Sequence, residues 1–318
     1  MAKDKATQSI KRNTRGTTMA SSKNYWDEYY RFWDEFVRTW WSSIGGKPQD
    51  AVSRLYQDVV NYYPDELPEP YIGDPKAGVD AVFLNLNPGM SAKGKYGKYE
   101  GKNLEETKCR SNLNKKAGWL IREFRDGANC SYREFVKKWS CLNPDLRGHE
   151  PEVCGVSWWQ GNDPEKVGGR MKWVRQIYDN AKLCPSRVFA PEICPFHSKR
   201  FPTKRLGNLS EFVKNRVIIP AARAVIENRL PFAIAVGKSY AEVLSKLGAR
   251  LEKTWFFEDS TKDWPKNKKT GNLVNRTYEL YTFNIEDVGG ARFLVTYAQG
   301  GNTAPSTEFS SVEALIRA

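Results

Sequence analysis

The sequence predicts an α/β fold built on parallel strands. Three observations support this prediction: short apolar runs recur along the chain, helix-period segments separate them, and the runs end in turn residues. With 318 residues the chain is long enough for one large domain with extensions. We expect a basic tail over 1–23, a helical cap over 24–65 and an α/β domain over 66–318.

The amino-terminal tail combines basic residues with many Ser and Thr and almost no large apolar groups. This composition is typical of disorder, and its positive charge could hold DNA loosely through counterion release. The alternative is a terminus with no role of its own. The basic residues are Lys3, Lys5, Lys11, Arg12, Arg15 and Lys23, against Asp4.

Large apolar residues at a spacing of three to four predict an amphipathic helix from Asn24 to Ile44, before Gly45 and Gly46. We expect its aromatic stripe to pack against the domain; a base-stacking surface is the alternative. A second helix is predicted after Pro48. The stripe comprises Trp26, Tyr29, Tyr30, Trp33, Phe36, Val37, Trp40 and Trp41.

The α/β domain alternates strand and helix patterns along its length. Strands are predicted over 80–86, 187–193 and 232–237, and helices over 113–126, 131–139, 168–182, 208–229 and 239–248. Two further segments, 254–258 and 277–285, alternate apolar and polar residues and predict an inserted β-ribbon at about 251–286. Its tip is basic, with Lys262, Lys266, Lys268, Lys269 and Arg276.

The charge balance favours a polyanionic partner. Lys and Arg number 50 against 37 Asp and Glu, a formal net charge of +13, and the sequence pI is near 9.3. Phosphate is the obvious counter-charge, and 11 Trp, 15 Tyr and 15 Phe offer surfaces for base stacking, so we expect DNA as partner. A contribution to solubility alone is the alternative.

Other classes of protein are disfavoured. The sequence contains no apolar stretch of membrane-spanning length and no secretory leader, so we expect a cytoplasmic protein and no membrane partner, and we expect a monomer. Six Cys without a CxxC pair indicate reduced thiols, and His149 and His197 are the only two histidines. We therefore expect no zinc site, no iron–sulfur cluster and no other cofactor.

The most informative motif ends the first predicted strand. The apolar run from Val82 stops at Asn85-Leu86-Asn87-Pro88-Gly89, where proline and glycine force a turn and expose Asn87. Ligands of open α/β sheets bind at this carboxyl edge. An ordinary exit from a strand is the alternative explanation for this motif.

This motif resembles the first active-site motif of the uracil-DNA glycosylase superfamily, nearest its mismatch-specific and single-strand-selective branches. Four further segments resemble the superfamily in the same order: 68–75, 187–195, 232–239 and 293–302. The resemblance implies a three-layer αβα sandwich around a central four-stranded, mainly parallel sheet. It also implies a monofunctional DNA glycosylase that hydrolyses the N-glycosidic bond of a flipped base and leaves an abasic site.

The resemblance assigns roles to individual residues. Asn87 inherits the positioning of the attacking water, and Asn85 replaces a family glycine. Substrate contacts are expected from Asn85, Pro88, Gly89, Met90, Tyr96, Tyr99 and Cys194; the two tyrosines would form an aromatic platform or else belong to a solvated surface loop. DNA contacts are expected from Lys95, Lys98, His197, Lys199, Arg200, Lys238, Gly300 and Gly301.

The last loop departs from the family because its histidine is absent. Gln299 and Asn302 could supply neutral donors to the departing base instead. The missing histidine leaves a catalytically inactive nucleic-acid-binding module of the same fold as an alternative. A nucleotide-binding enzyme is disfavoured, because neither GxGxxG nor GxxxxGK[ST] occurs in the required setting.

Glu192 stands where the family carries a base-reading Asn. An ionised carboxylate only accepts hydrogen bonds, so it would repel uracil O4 and accept from cytosine N4. Alternatively, burial could raise its pKa and let it act as an acid towards cytosine N3. Either case predicts a cytosine-type base; a structural ion pair, and a uracil or mismatch repair enzyme, are the alternatives.

Excision of ordinary cytosine would destroy the host genome. The substrate therefore requires a feature that normal DNA lacks, and a modified cytosine satisfies this requirement. Since bacteriophages carry modified cytosines, we expect a defence role against phage DNA.

Overall fold

The computed structural model of the chain describes residues 24–42, 69–85, 131–139, 159, 169–178, 182–195, 210–257 and 276–298. They form one mixed sheet with helices packed against it, which is an α/β architecture. The strands are β1 Tyr71–Ile72, β2 Ala81–Leu84, β3 Val188–Pro191, β4 Ala233–Val236, β5 Arg250–Phe257, β6 Arg276–Ile285 and β7 Gly289–Ala298. The helices are α1 Tyr25–Ser42, α2 Tyr132–Trp139, α3 Gly169–Ile177, α4 in three parts (Ser210–Val213, Lys214–Ile218 and Ile219–Glu227) and α5 Lys238–Lys246.

The sheet has seven strands in the order β1-β3-β2-β4-β7-β6-β5. Its four central strands, β3, β2, β4 and β7, run parallel to one another. The prediction of a four-stranded sheet with an inserted ribbon did not include β1 or the pairing of the ribbon with β7. Antiparallel β1 extends one edge of the sheet, and antiparallel β6 followed by β5 extends the other.

Helical segments pack against both faces of the sheet. Because side chains alternate along a strand, Phe83 points to the opposite face from Val82 and its register partner Phe189. The ring of Phe189 contacts Trp26 of α1, with centroids 6.1 Å apart. On the other face, Phe83 contacts Trp159, with centroids 5.6 Å apart. Burial on both faces explains why the central strands read as continuous apolar runs.

Helix α1 buries its aromatic stripe, as predicted. Besides the contact with Phe189, Trp26 Nε1 donates a hydrogen bond to Glu227 Oε2 of α4 at 2.6 Å. The Arg223 guanidinium of α4 lies 4.2 Å from the centroid of the Tyr25 ring. Side chains of the stripe that are buried are Trp26, Tyr29, Tyr30, Trp33, Phe36 and Val37. This part of the stripe is therefore a packing surface.

The connection from β1 to β2 requires glycine. Gly73 has a φ of +85°, and a Cβ atom there would lie 1.9 Å from the carbonyl oxygen of Val188. The following residue, Asp74, accepts a hydrogen bond from Tyr30 of α1 on Oδ1 at 2.6 Å and two hydrogen bonds from Arg133 of α2 on Oδ2. This carboxylate therefore joins two helices to the sheet edge.

Helix α4 contains a π-helical stretch, Lys214–Ile218, directly before Pro220. Proline has no N–H group to continue the α-helical ladder, and the chain compensates with a bond from Ile219 N–H to the carbonyl of Lys214. The apolar face of the helix stays buried across this irregularity, with Val217, Ile218 and Val225 in the core.

The segment predicted as an inserted ribbon corresponds to β5 and β6. Strand β6 pairs with β7 along its whole length, from Arg276 opposite Ala298 to Ile285 opposite Gly289. The ribbon is therefore continuous with the main sheet. At the outer edge, β5 shows a register shift between Leu251 and Lys253.

Several predicted segments lie outside the described residues: the tail 1–23, the helix after Pro48, the helix 113–126 and the basic tip between β5 and β6. Among the described helices, none is both long and apolar enough to cross a membrane.

Candidate functional site

The candidate site lies where β2 and β3 end. Asn85 and Glu192 directly follow the two strands and form an isolated parallel bridge. Backbone hydrogen bonds hold the bridge on both sides: Asn85 N–H donates to Pro191 at 3.2 Å, and Ile193 N–H donates to the carbonyl of Asn85 at 3.1 Å. The sheet thus places these two residues, 107 positions apart in sequence, side by side.

This position is a topological switch point. Along the chain β2 comes first, then β3 on one side of it, then β4 on the other side. Connections to the two neighbours of β2 leave in opposite directions, and ligands of such sheets bind in the crevice between them at the carboxyl ends. Asn85 directly follows β2, and Gly237 directly follows β4, at the same edge of the sheet.

The side chains of Asn85 and Glu192 are both buried and bonded to each other. They are 7% and 2% exposed, and Asn85 Nδ2 donates to Glu192 Oε1 at 2.8 Å. The second carboxyl oxygen, Glu192 Oε2, is also buried but has no hydrogen-bond partner among the described residues. A buried polar atom without a partner is costly, and such atoms occur where a site awaits a ligand or a water.

Burial raises the pKa of Glu192 well above its ordinary value, and the nearby charge of Glu69 raises this pKa further. The hydrogen bond from Asn85 and the positive charge of Arg170 act in the opposite direction. Desolvation is the largest effect, so the environment favours the neutral carboxyl group.

The bridge is held rigidly by its neighbours. The Tyr240 hydroxyl of α5 donates to the backbone carbonyl of Asn85, and both groups are buried. Glu192 N–H donates to the carbonyl of Pro70 at 2.9 Å, and Glu69 N–H donates to that of Pro195 at 2.7 Å. The segment before β1 therefore closes over the residues that follow β3.

Arg170 of α3 is a component of the site that the sequence pattern did not single out. Its guanidinium carbon lies 5.0 Å from the Phe83 ring centroid and 5.2 Å from that of Trp173. The sequence could have pointed to Arg170, because its spacing from Val174 and Ile177 places it on their helix face. Both of these apolar residues are fully or almost fully buried. A cation in an apolar stripe marks a position where the charge serves a purpose.

Two other predicted site residues are described. Cys194 is a buried thiol two positions after Glu192. Lys238 is exposed at the first position of α5 and follows Gly237, whose φ is +124°. A lysine at the amino end of a helix adds its charge to the unpaired N–H groups there, and both attract phosphate.

The remaining predicted site residues lie outside the described part of the chain, so their placement stays a prediction. They are Asn87, Pro88, Gly89, Met90, Lys95, Tyr96, Lys98, Tyr99, His197, Lys199, Arg200, Gln299, Gly300, Gly301 and Asn302. The described strands β2 and β7 lead directly into two of these groups, at 86–90 and 299–302.

The arrangement is suited to proton transfer and hydrogen bonding at the sheet edge. Within the described ranges, no group of three or more His, Cys, Asp or Glu side chains could hold a metal ion. No protein-family model, no curated protein and no solved structure matches this chain.

Proposed function

We propose that the protein is a monofunctional DNA glycosylase that acts on a modified cytosine. The buried pair of Asn85 and Glu192 at the switch point carries the proposal. The motif at 85–89 and the basic composition of the chain support it. The proposed fold is the three-layer αβα sandwich of the uracil-DNA glycosylase superfamily, whose central four strands would be β3, β2, β4 and β7.

The protonated carboxyl group of Glu192 has a defined polarity. Because Asn85 Nδ2 donates to Oε1, Oε1 serves as the acceptor and the proton resides on Oε2. Oε2–H is therefore a donor, and it has no partner among the described residues. An acceptor on a bound base would satisfy it.

At the N3 position, cytosine supplies this acceptor and uracil does not. A flipped base is read on its Watson–Crick edge, where N3 of cytosine accepts and N3 of uracil donates. Uracil would place its N3–H donor against the Oε2–H donor. Moving the proton of Glu192 to Oε1 would not relieve this clash without cost, because Oε1 already accepts from Asn85 Nδ2. The sequence left two hypotheses for Glu192, an ionised acceptor from cytosine N4 and a protonated donor to cytosine N3. The buried environment favours the protonated donor.

The chemistry then follows from the charge that the base acquires. Protonation of N3 by Glu192 makes the base a better leaving group, and the oxocarbenium-like sugar requires only a positioned water. Asn87, two residues after Asn85, is proposed to hold that water. Phage DNA with modified cytosine is the proposed target, because excision of unmodified cytosine would be toxic to the host.

The test is base release from matched oligonucleotides that contain 5-hydroxymethylcytosine, its glucosylated form, unmodified cytosine or uracil, each single- and double-stranded. Released bases are identified by mass spectrometry, and abasic sites by alkaline cleavage. We expect release of a modified cytosine and no release of uracil. Release of uracil alone, or of no base from any DNA, would overturn the proposal.

The variant E192Q sharpens this experiment because glutamine keeps the size of the side chain and cannot donate a transferable proton. We expect release to fall about 10²-fold or more while DNA affinity is retained. E134Q, which alters an exposed carboxylate on α2, is the matched control and should leave release unchanged.

A further inference from the structure

Arg170 is a half-buried cation outside the bonds that hold the Asn85 and Glu192 pair. Nε and Nη1 of its guanidinium are shielded from solvent, and the group lies between the rings of Phe83 and Trp173. Burial lowers the pKa of Arg170 to about 9, so the side chain remains positive at neutral pH.

The guanidinium lies on the same face of the sheet as the Asn85 and Glu192 pair. Phe83 and Asn85 are two residues apart along one strand, so their side chains point to the same face. Asn85 and Glu192 are register partners in a parallel bridge, which places the carboxyl group on that face as well. Among the described residues, the groups that act on Glu192 are Asn85 by hydrogen bond, Glu69 by repulsion and Arg170 by attraction.

We propose that Arg170 is a positioning residue that stabilises the Glu192 carboxylate formed when the proton passes to the departing base. The inference rests on the proposed glycosylase function. In the step, the O–H bond of Oε2 breaks and an N–H bond forms at N3. The N-glycosidic bond breaks with its electron pair moving into the base, and water adds to the sugar carbon and releases a proton to solvent.

The need for such a residue follows from the burial of Glu192. An isolated carboxylate in this environment would be costly, and the hydrogen bond from Asn85 neutralises no charge. A fixed cation in the same apolar layer compensates the negative charge at the moment it forms. Arg170 thereby keeps the acid strong enough to transfer its proton.

The experiment compares three variants of the full chain. R170M removes the charge and keeps an unbranched apolar side chain between the two rings. R170K keeps an ionisable cation, but burial lowers the pKa of lysine more readily than that of arginine, so a smaller fraction of the side chains would be charged. K172M is the matched control, since Lys172 is exposed on the same helix.

The first readout does not depend on activity. The infrared band of the protonated Glu192 carboxyl, assigned by its loss in E192Q, is followed as a function of pH. We expect its midpoint to move to higher pH in R170M, by less in R170K, and to stay unchanged in K172M. An unchanged midpoint in folded R170M or R170K would overturn the inference, even if the wild type released no base.

The second readout is the pH profile of base release. We expect R170M to release base at least about tenfold more slowly, with unchanged DNA affinity. The alkaline limb of its pH profile should move to higher pH. Equal losses of DNA affinity in R170M and K172M would show a general charge effect and contradict the inference. A wild type without activity would instead refute the proposed function alone.

Discussion

The hydroxyl of Tyr240 donates to the backbone carbonyl of Asn85, which ties the first turn of α5 to the end of β2. Both residues are buried, and the same carbonyl also accepts from Ile193 N–H. The switch point is thus held by a side chain from the helix that follows β4.

The variant Y240F is expected to lower the free energy of unfolding by about 1 kcal/mol, because the carbonyl of Asn85 keeps its second donor. Y178F is the comparison. The Tyr178 hydroxyl accepts from Val82 N–H and donates to the carbonyl of Phe232, so its loss leaves a buried N–H without a partner. We expect Y178F to cost more, about 2 kcal/mol, in urea unfolding. Equal costs would contradict this account.

Stability should depend on pH through Glu192. Its pKa is raised in the folded state, so above about pH 4.3 the folded protein binds more protons than the unfolded chain. This group therefore contributes a loss of stability as pH rises, up to about 1.4 kcal/mol per pH unit. Thermal melts should show E192Q gaining on the wild type as pH rises above the unfolded-state pKa of about 4.3, until Glu192 ionises in the folded protein.

The matched control for this pH dependence is E134Q. Glu134 accepts from the N–H and hydroxyl of Ser131 at 2.9 Å each, and these bonds hold its pKa below the ordinary value. Its contribution is therefore present at neutral pH and lost as pH falls, opposite in sign to that of Glu192. E134Q should lower the melting temperature at neutral pH, and a gain there would contradict the argument from capping.

The variant N87A is expected to slow base release about 10²-fold or more, because it removes the group proposed to position the water. DNA affinity should be largely retained. N284A, at an exposed position on β6, is the control. Release that persists in N87A would remove the catalytic role proposed for this asparagine.

Asp74 should be important for stability and unimportant for chemistry. The variant D74N removes the charge that accepts two hydrogen bonds from Arg133 on Oδ2, at 3.0 and 2.7 Å. We expect a loss of about 2 kcal/mol in denaturant unfolding, because the pair is only partly exposed. D27N, at an exposed pair with Lys76, should have no measurable effect.

The sequence predicted the elements that local pattern controls. Strands β2, β3 and β4 were found because continuous apolar runs bounded by turn residues are typical of strands buried on both faces. Helices α1 and α2 were found because their apolar residues recur with the helical period. Strand β1 has only two residues, too few for any pattern.

Long-range contacts account for the parts that were missed. The bond between Asn85 and Glu192 depends on strand register, and the contacts of Arg170 depend on how α3 crosses the sheet. The start of β7 was hidden by Gly289 and Gly290, which carry no strand signal but pair with Ile285 and Asn284. Position 192 was singled out because it stands where the resembled superfamily carries a base-reading Asn, at the end of an apolar run.

The outer strand β5 explains how a sheet of this width ends in solvent. Its register shift interrupts the regular row of backbone donors and acceptors that another chain would need. Arg250, Glu252 and Lys253 add charges along the same strand. These features oppose strand pairing with another chain at this edge, whereas the exposed side chains of Leu251 and Phe256 would favour it, so the register shift and the charges counteract an apolar edge.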